Sequence, residues 1–322
     1  MREFRLHCRV PYDSCIPSQP VPVFYLGDSH VRYFRAAANF GLLSPYEVSG
    51  LEVGGATAVG MRNPNAKTNA LARFRDWVRD KPRDGILVIH LGEVDCGFVI
   101  WYRALKYNES IENQVSKSIN AYFEFVDELV AEDFRRIVIT GATPPTIIDK
   151  DQIGEVVVKR SSISASQLDR TDLTLGYNSL LKEGAEARGL PYADIAEDVI
   201  DVKTHMIFDD LRNPNPLDHH MNMNLAAVYW ARHLNVAFEC YQTRNLNEET
   251  WVCTKSTYLK GFPAHSRSMP SNMKLLVPTD AHVTGQLLGF AGEFSVIRNA
   301  AMNGAPTRPW LSLLHSAHFR HI

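Results

Sequence analysis

The feature that most constrains the fold is an alternation of short apolar runs, rich in β-branched residues, with longer segments of helical period. It extends from Val21 to about Asn235 and is typical of a parallel sheet covered by helices on both faces. Five runs predict strands, at about 21–26, 46–53, 85–91, 136–140 and 191–195. We therefore predict an α/β fold with three layers, α/β/α, and a parallel five-stranded sheet.

The segments between these runs predict amphipathic helices. Apolar residues recur at three- and four-residue steps over about 71–78, 115–130 and 173–181, and a further apolar stretch begins at about 222 and continues into the 230s. Doubly wound sheets of this kind place their ligand sites at the carboxyl ends of the strands. Functional residues are therefore expected in the loops that follow the strands.

The chain is predicted to divide at about residue 242. Residues 1–242 form the α/β domain, and residues 243–322 consist of short strand-like runs separated by Pro, Gly, Ser and Asn, which predicts a small β-rich C-terminal appendage. The stretch at about 149–171 is too long for an ordinary connection and predicts an insertion that gates the substrate. The appendage could cover the active site, bind glycan or form the interface of a homodimer.

Bulk composition excludes several classes of partner. Charged residues make up 22% of the chain and the net charge is −2, so neither nucleic acid nor a membrane surface is an expected partner. Charges and proline interrupt the N-terminal region, and no apolar run approaches the length of a membrane span, so we expect a cytoplasmic protein. The five cysteines lack zinc-site spacing and are expected to be reduced thiols, with a Cys8–Cys15 disulfide as the less favoured alternative. We expect no metal and no cofactor.

The first predicted strand ends in Gly27-Asp28-Ser29-His30. A serine immediately after a buried strand, where a helix should begin, is exposed and suits the role of nucleophile. Its own N–H and the positive end of the helix would help to hold an oxyanion. The alternative is that Ser29 only caps the helix.

Turn residues also follow the second and third strands, at 54–57 (GGAT) and 90–95 (HLGEVD). Gly55 has no side chain, so its N–H could approach a substrate closely, as an oxyanion donor must. An ordinary tight turn is the alternative for Gly54 and Gly55. Phosphate binding is less favoured, because neither the dinucleotide nor the P-loop spacing is present.

A proline-rich loop at 208–222 carries Asp218, His219 and His220 just ahead of a predicted helix. An imidazole that accepts a serine proton, and a carboxylate that orients the imidazole, are what a serine nucleophile needs at neutral pH. The alternatives are that Asp218 caps the helix, that the histidines are solvated, or that paired histidines bind a metal.

Together these segments resemble, in order and placement, the conserved blocks of the SGNH or GDSL-type hydrolases, over about 21–235. The resemblance implies a flavodoxin-like SGNH domain. It also implies that Ser29 is the nucleophile, that the N–H groups of Ser29 and Gly55 form the oxyanion hole, and that His220 is the base. Asp218 would orient His220.

The chain departs from the family pattern at two positions. Val94 stands where the family has an asparagine that donates to the oxyanion; His90 and Asn63 are candidate substitutes. Asp218 precedes His220 by two positions instead of three, so a Ser-His dyad assisted by a backbone carbonyl is an alternative to a triad.

We predict a serine esterase that cleaves an ester, such as an O-acetyl group, of a carbohydrate or other small molecule. An O-acyltransferase that uses the same acyl-enzyme is one alternative. A non-catalytic carbohydrate- or partner-binding protein is the other. The polar neighbours of the site are expected to contact the substrate: Asp28, His30, Glu93, Asp95 and His219.

Overall fold

A computed structural model of the protein describes residues 20–149 and 163–242. The predicted appendage at 243–322 lies outside the described residues, as does most of the predicted insertion. In the described part of the chain, no helix combines the length and apolar character that a bilayer span requires.

Five strands form a parallel sheet in the described residues, in the order β2-β1-β3-β4-β5. Their bounds are β1 Pro22–Gly27, β2 Glu47–Glu52, β3 Ile86–His90, β4 Ile137–Thr140 and β5 Tyr192–Ala193. This is the strand order of flavodoxin-like sheets. The five predicted strands and the α/β class are confirmed.

Helices connect the strands and cover both faces of the sheet. The longer ones are α1 Arg32–Asn39, α2 Ala70–Val78, α3 Ile100–Tyr107, α4 Ile111–Ala131, α5 Gln167–Ala187 and, after β5 and a short hairpin, α7 Met223–Gln242. The four helices that the periodicity predicts correspond to α2, α4, α5 and α7. Between β5 and α7 lie a single helical turn, α6 Ala196–Val199, and the hairpin of β6 Ile200–Asp201 and β7 Met206–Ile207.

The strand residues alternate between two apolar cores, one on each face of the sheet. Phe24 and Leu26 of β1 pack into the core formed with α2, α4 and α5. Val23 and Tyr25 pack into the core formed with α1 and α7, where Trp230 is fully buried. Because both faces are buried at β1, β3 and β4, these three strands read as continuous apolar runs in the sequence. The loops after the carboxyl ends of the strands carry the candidate site residues.

Two predicted boundaries are corrected. The insertion predicted at 149–171 ends earlier, because α5 begins at Gln167 with a capping box in which Ser166 and Asp169 bond each other's main-chain N–H groups. The last strand, predicted at 191–195, is only two residues long. Asp194 ends it, since its carboxylate accepts a hydrogen bond from the Ala196 N–H and turns the chain into α6.

Candidate active site

Ser29 is the second residue after β1, at the carboxyl edge of the sheet. Gly27 comes so close to β3 that an added Cβ would lie 2.1 Å from the His90 carbonyl oxygen, which explains the glycine there. Asp28 then caps a 3-10 turn, Ser29–Val31, by accepting from the His30 N–H, and the turn continues into α1. Asp28, not Ser29, is therefore the capping residue, and the Ser29 hydroxyl is left to bond elsewhere.

Three side chains form one chain of hydrogen bonds at this edge. The Ser29 Oγ lies 2.8 Å from Nε2 of His220. The other ring nitrogen of His220, Nδ1, lies 2.6 Å from Oδ1 of Asp218, and the same oxygen accepts from the His220 main-chain N–H at 3.0 Å. Because the carboxylate accepts from Nδ1–H, Nε2 carries the lone pair and accepts from the serine hydroxyl. Asp218 and His220, two residues apart, thus bond each other across a short local turn.

Hydrogen bonds tie the loop that carries His220 to two other elements and join its two ends to each other. The Met221 N–H donates to the buried Tyr33 hydroxyl of α1 at 2.8 Å. The Thr146 hydroxyl, in the loop after β4, donates to the His219 carbonyl. The Asn222 N–H donates to the Leu211 carbonyl at 2.8 Å. These bonds hold the imidazole on Ser29. Neither Tyr33 nor Thr146 was predicted from the sequence, although Tyr33 lies one helical turn after Ser29.

The environment favours an uncharged His220 beside an ionised Asp218. Burial lowers the pKa of His220, His30 lowers it further, and the Asp218 carboxylate opposes both without reversing the shift. Burial acts to raise the pKa of Asp218, but hydrogen bonds from the main-chain N–H and ring of His220 outweigh it, so that pKa is lowered. A neutral imidazole oriented by a carboxylate is the form that accepts a proton.

A second aspartate–histidine pair lies directly beside the first. Oδ1 of Asp28 accepts from both the main-chain N–H and Nδ1 of His30, each at 2.9 Å. The His30 ring centroid is 4.7 Å from that of His220. Among the described residues, the second carboxylate oxygen of Asp28, Oδ2, is buried without a hydrogen-bond partner. Asp28 therefore orients His30 and is too buried to contact a substrate directly.

Gly55 occupies the turn that follows β2. The Ala56 N–H donates to the Val53 carbonyl at 3.0 Å, which closes the turn, and Gly55 has φ +74°. This left-handed conformation favours glycine. The nearest atom to an added Cβ is 3.9 Å away, so the space beside Gly55 is open, as access to its N–H requires.

The two candidate substitutes for the missing asparagine differ in environment. His90 is fully buried with a pKa lowered by burial to about 4, so it is neutral. The Thr140 hydroxyl donates to the Ile89 carbonyl, so His90 Nδ1–H donates to Thr140, and Nε2 faces the Thr143 hydroxyl at 3.3 Å. His90 therefore has no N–H for an oxyanion. Asn63 is exposed, with its Oδ1 bonded to the Asn65 N–H.

Asp95 is not positioned to contact a substrate. Its carboxylate is fully buried and accepts from the N–H groups of Ala58 and Val59, at 2.8 and 3.2 Å, and from the Ser118 hydroxyl at 2.8 Å. It therefore joins the loop after β2 to the π-helical turn Asp95–Val99, an element not predicted from the sequence.

Two other predicted substrate contacts differ in exposure. Glu93 is buried and close enough to act electrostatically on His220, whereas His219 is half-buried at the site.

Asp95 should make stability depend on pH. Burial raises its pKa from 3.8 to about 6 against the opposing hydrogen bonds, so the native state holds this proton more tightly than the unfolded chain. The stabilisation that comes from this raised pKa is fully present below about pH 4 and is lost as pH rises through about 6. In urea unfolding, the free energy of unfolding of the wild type, relative to that of Asp95→Asn, should fall by ~3 kcal/mol between pH 4 and 7. Asp76→Asn, at an exposed site, is the control, and a difference independent of pH would contradict this account.

Comparisons with known proteins give similarities to solved structures alone. No protein-family model matches the chain, and no curated protein matches it. A GDSL-like lipase from Bacteroides thetaiotaomicron is 15% identical with a TM-score of 0.46, over 70% of this chain and 93% of its own. A carbohydrate acetylesterase from Sinorhizobium meliloti is 12% identical with a TM-score of 0.43, over 70% of this chain and 100% of its own. An extracellular lipase from Streptomyces rimosus is 14% identical with a TM-score of 0.41, over 67% and 99%.

The solved structures similar to this chain thus include GDSL-type hydrolases and esterases, the group whose sequence blocks it resembles. The fold class rests on the sheet order of the chain itself. The described part of the chain is a flavodoxin-like α/β domain that brings Ser29, His220 and Asp218 together at the carboxyl edge of its sheet.

Proposed function

We propose that this protein is an SGNH-type serine hydrolase that cleaves carboxylic esters through an acyl-enzyme. The observation that carries the proposal is the unbroken hydrogen-bond chain from the Ser29 hydroxyl through His220 to the Asp218 carboxylate. Each contact lies within the hydrogen-bond distance that a nucleophile and its base require. A binding protein without catalysis would not need its serine and imidazole at 2.8 Å.

The reaction follows from the order of these groups. Nε2 of His220 takes the hydroxyl proton while the Ser29 oxygen attacks the ester carbonyl carbon. The resulting imidazolium, stabilised by Asp218, returns the proton to the departing alcohol as the ester C–O bond breaks. Water then attacks the acyl-enzyme with His220 again as base, which releases the acid and restores the serine.

The oxyanion would be held by main-chain N–H groups. Ser29 begins the helical turn after β1, and Gly55 lies in the open turn after β2. Val94, at the start of the π-helical turn, offers no side-chain donor. In other serine hydrolases, removing one donor from the oxyanion hole costs about 3 kcal/mol of transition-state stabilisation. We therefore expect a modest kcat with unactivated esters.

The substrate class that we propose is an O-acyl ester of a carbohydrate or another small, weakly charged molecule. The near-neutral net charge of −2 gives no electrostatic preference for a polyanion. Of the polar side chains near the Ser29–His220 pair, His30 and Glu93 are buried, whereas His219 is half-buried and open to a substrate. The hydrogen-bonding ring of His219 suits an alcohol part that carries hydroxyls.

Reaction with a fluorophosphonate probe tests this proposal directly, because such probes label only an activated serine. We expect one phosphonyl group per chain, mapped by mass spectrometry to Ser29, and no labelling of a folded His220→Ala variant. Circular dichroism of the variant supplies the folding control. Labelling at other serines, or equal labelling of His220→Ala, would contradict the proposed nucleophile and base.

A further inference from the structure

Three imidazole rings meet beside Ser29, although the proposed hydrolysis uses one of them. His30, His219 and His220 each offer a ring nitrogen, and these three nitrogens lie within 4.8 Å of one another. The ring centroids are 4.1 Å apart for His219 and His220 and 5.9 Å for His30 and His219. His30 lies in the 3-10 turn after β1, whereas His219 and His220 lie in a loop distant in sequence, so the convergence is a product of the tertiary structure.

Two of these rings already have the outer partners that metal-binding histidines usually have. Nδ1 of His30 lies 2.9 Å from Asp28, and Nδ1 of His220 lies 2.6 Å from Asp218. A ligating histidine usually donates its other ring N–H to a carboxylate, which fixes the tautomer and makes the ligating nitrogen more basic. Both pairs therefore direct the lone pair to Nε2.

The buried carboxylate of Asp28 provides a second, independent indication of a cation. The side chain is fully buried, and its Oδ2 has no hydrogen-bond partner among the described residues. A buried carboxylate is costly unless positive charge or further donors compensate it. A cation on Nε2 of His30 would place compensating positive charge across the imidazole ring from this carboxylate.

We propose that His30, His219 and His220 form a binding site for a divalent transition metal of the Zn²⁺ class. Zn²⁺ takes imidazole nitrogens at about 2.0–2.1 Å, which sets ligand atoms about 3.4 Å apart in a tetrahedron. The three nitrogens, now within 4.8 Å of one another, would have to move closer together to reach that separation. Mg²⁺ and Ca²⁺ prefer oxygen ligands and are excluded by an all-nitrogen set. Water or the Ser29 oxygen, 2.8 Å from Nε2 of His220, would complete the coordination.

Metal binding and ester hydrolysis would be mutually exclusive at this site. A metal on Nε2 of His220 takes the lone pair that accepts the Ser29 proton, so the hydroxyl loses its base. Bound Zn²⁺ therefore inhibits reversibly, and a chelator restores the free enzyme. This consequence rests on the proposed function, whereas the binding itself does not.

Co²⁺, which reports tetrahedral nitrogen coordination by its visible absorption, provides the test on untagged full-length protein. We expect one Co²⁺ per chain, displaced by one Zn²⁺. His30→Gln and His219→Gln should each weaken Zn²⁺ binding by about 100-fold or more. Even the loss of a residue that only orients a ligating histidine lowers metal affinity by about 10–100-fold. Ser29→Ala should retain the site. His233→Gln, which alters a histidine paired with Asp198 elsewhere, should bind as wild type does.

Two results would overturn the proposed site: no tetrahedral Co²⁺ absorption with wild type, or wild-type affinity in His219→Gln. His219 is only half-buried, so this variant decides the question even if His30→Gln does not fold. Zn²⁺ should also slow fluorophosphonate labelling of Ser29, and a chelator should restore it. If Ser29 is not labelled without metal, the proposed hydrolase function fails while the Co²⁺ spectrum still decides the metal site.

Discussion

Replacing Ser29 with alanine should lower kcat for hydrolysis of a chromogenic acetate ester by about 10⁴-fold or more. Losing the nucleophile of a serine hydrolase removes the acyl-enzyme route and leaves only the background provided by substrate binding and the oxyanion hole. The fold should persist, because the Ser29 hydroxyl bonds His220 and the 3-10 turn is capped by Asp28. Steady-state kinetics and thermal unfolding of the same preparation measure both.

Ser179→Ala is the matched control for this substitution. Ser179 lies exposed on α5, and its hydroxyl donates to the Leu175 carbonyl within the helix. Its removal should leave kcat unchanged. A folded Ser29→Ala variant with wild-type kcat would exclude Ser29 as nucleophile and leave a binding function on the same fold as the better explanation.

Replacing Asp218 with asparagine should lower kcat by about 10²- to 10⁴-fold. The amide carries no charge to stabilise the imidazolium, and its NH₂ group can face Nδ1 and force the unproductive tautomer of His220. The lower bound reflects the exposure of Asp218, whose side chain is 36% accessible, so water can partly replace it. The measurement is kcat and kcat/KM across pH.

Asp209→Asn tests whether the effect belongs to Asp218 itself. Asp209 lies in the same loop, is exposed and pairs with Arg212, so its substitution should not change kcat. A loss of less than about 10-fold in Asp218→Asn would favour the Ser-His dyad over the triad. The double variant with Ser29→Ala should be no slower than Ser29→Ala alone, since the residues act as a unit.

Much of the fold could be predicted because its signals are local in the sequence. Strands β1, β3 and β4 are apolar on both faces, and helices α2, α4, α5 and α7 show helical periodicity. The π-helical turn Asp95–Val99 and the following α3 were missed. The position of the π-helical turn depends on the bonds that Asp95 makes to Ala58 and Val59, some 36 residues away.

The sequence alone determined the layered α/β class and the loops where polar chemistry would be found, because periodicity and turn residues are properties of neighbouring positions. That His220, and not the adjacent His219, faces Ser29 across 191 positions follows from long-range packing. Long-range packing also places His30 beside these two histidines and buries Asp95. The orientation of His220 depends on how the Tyr33 hydroxyl and the Thr146 side chain fix the histidine loop, and no local pattern encodes contacts between distant segments.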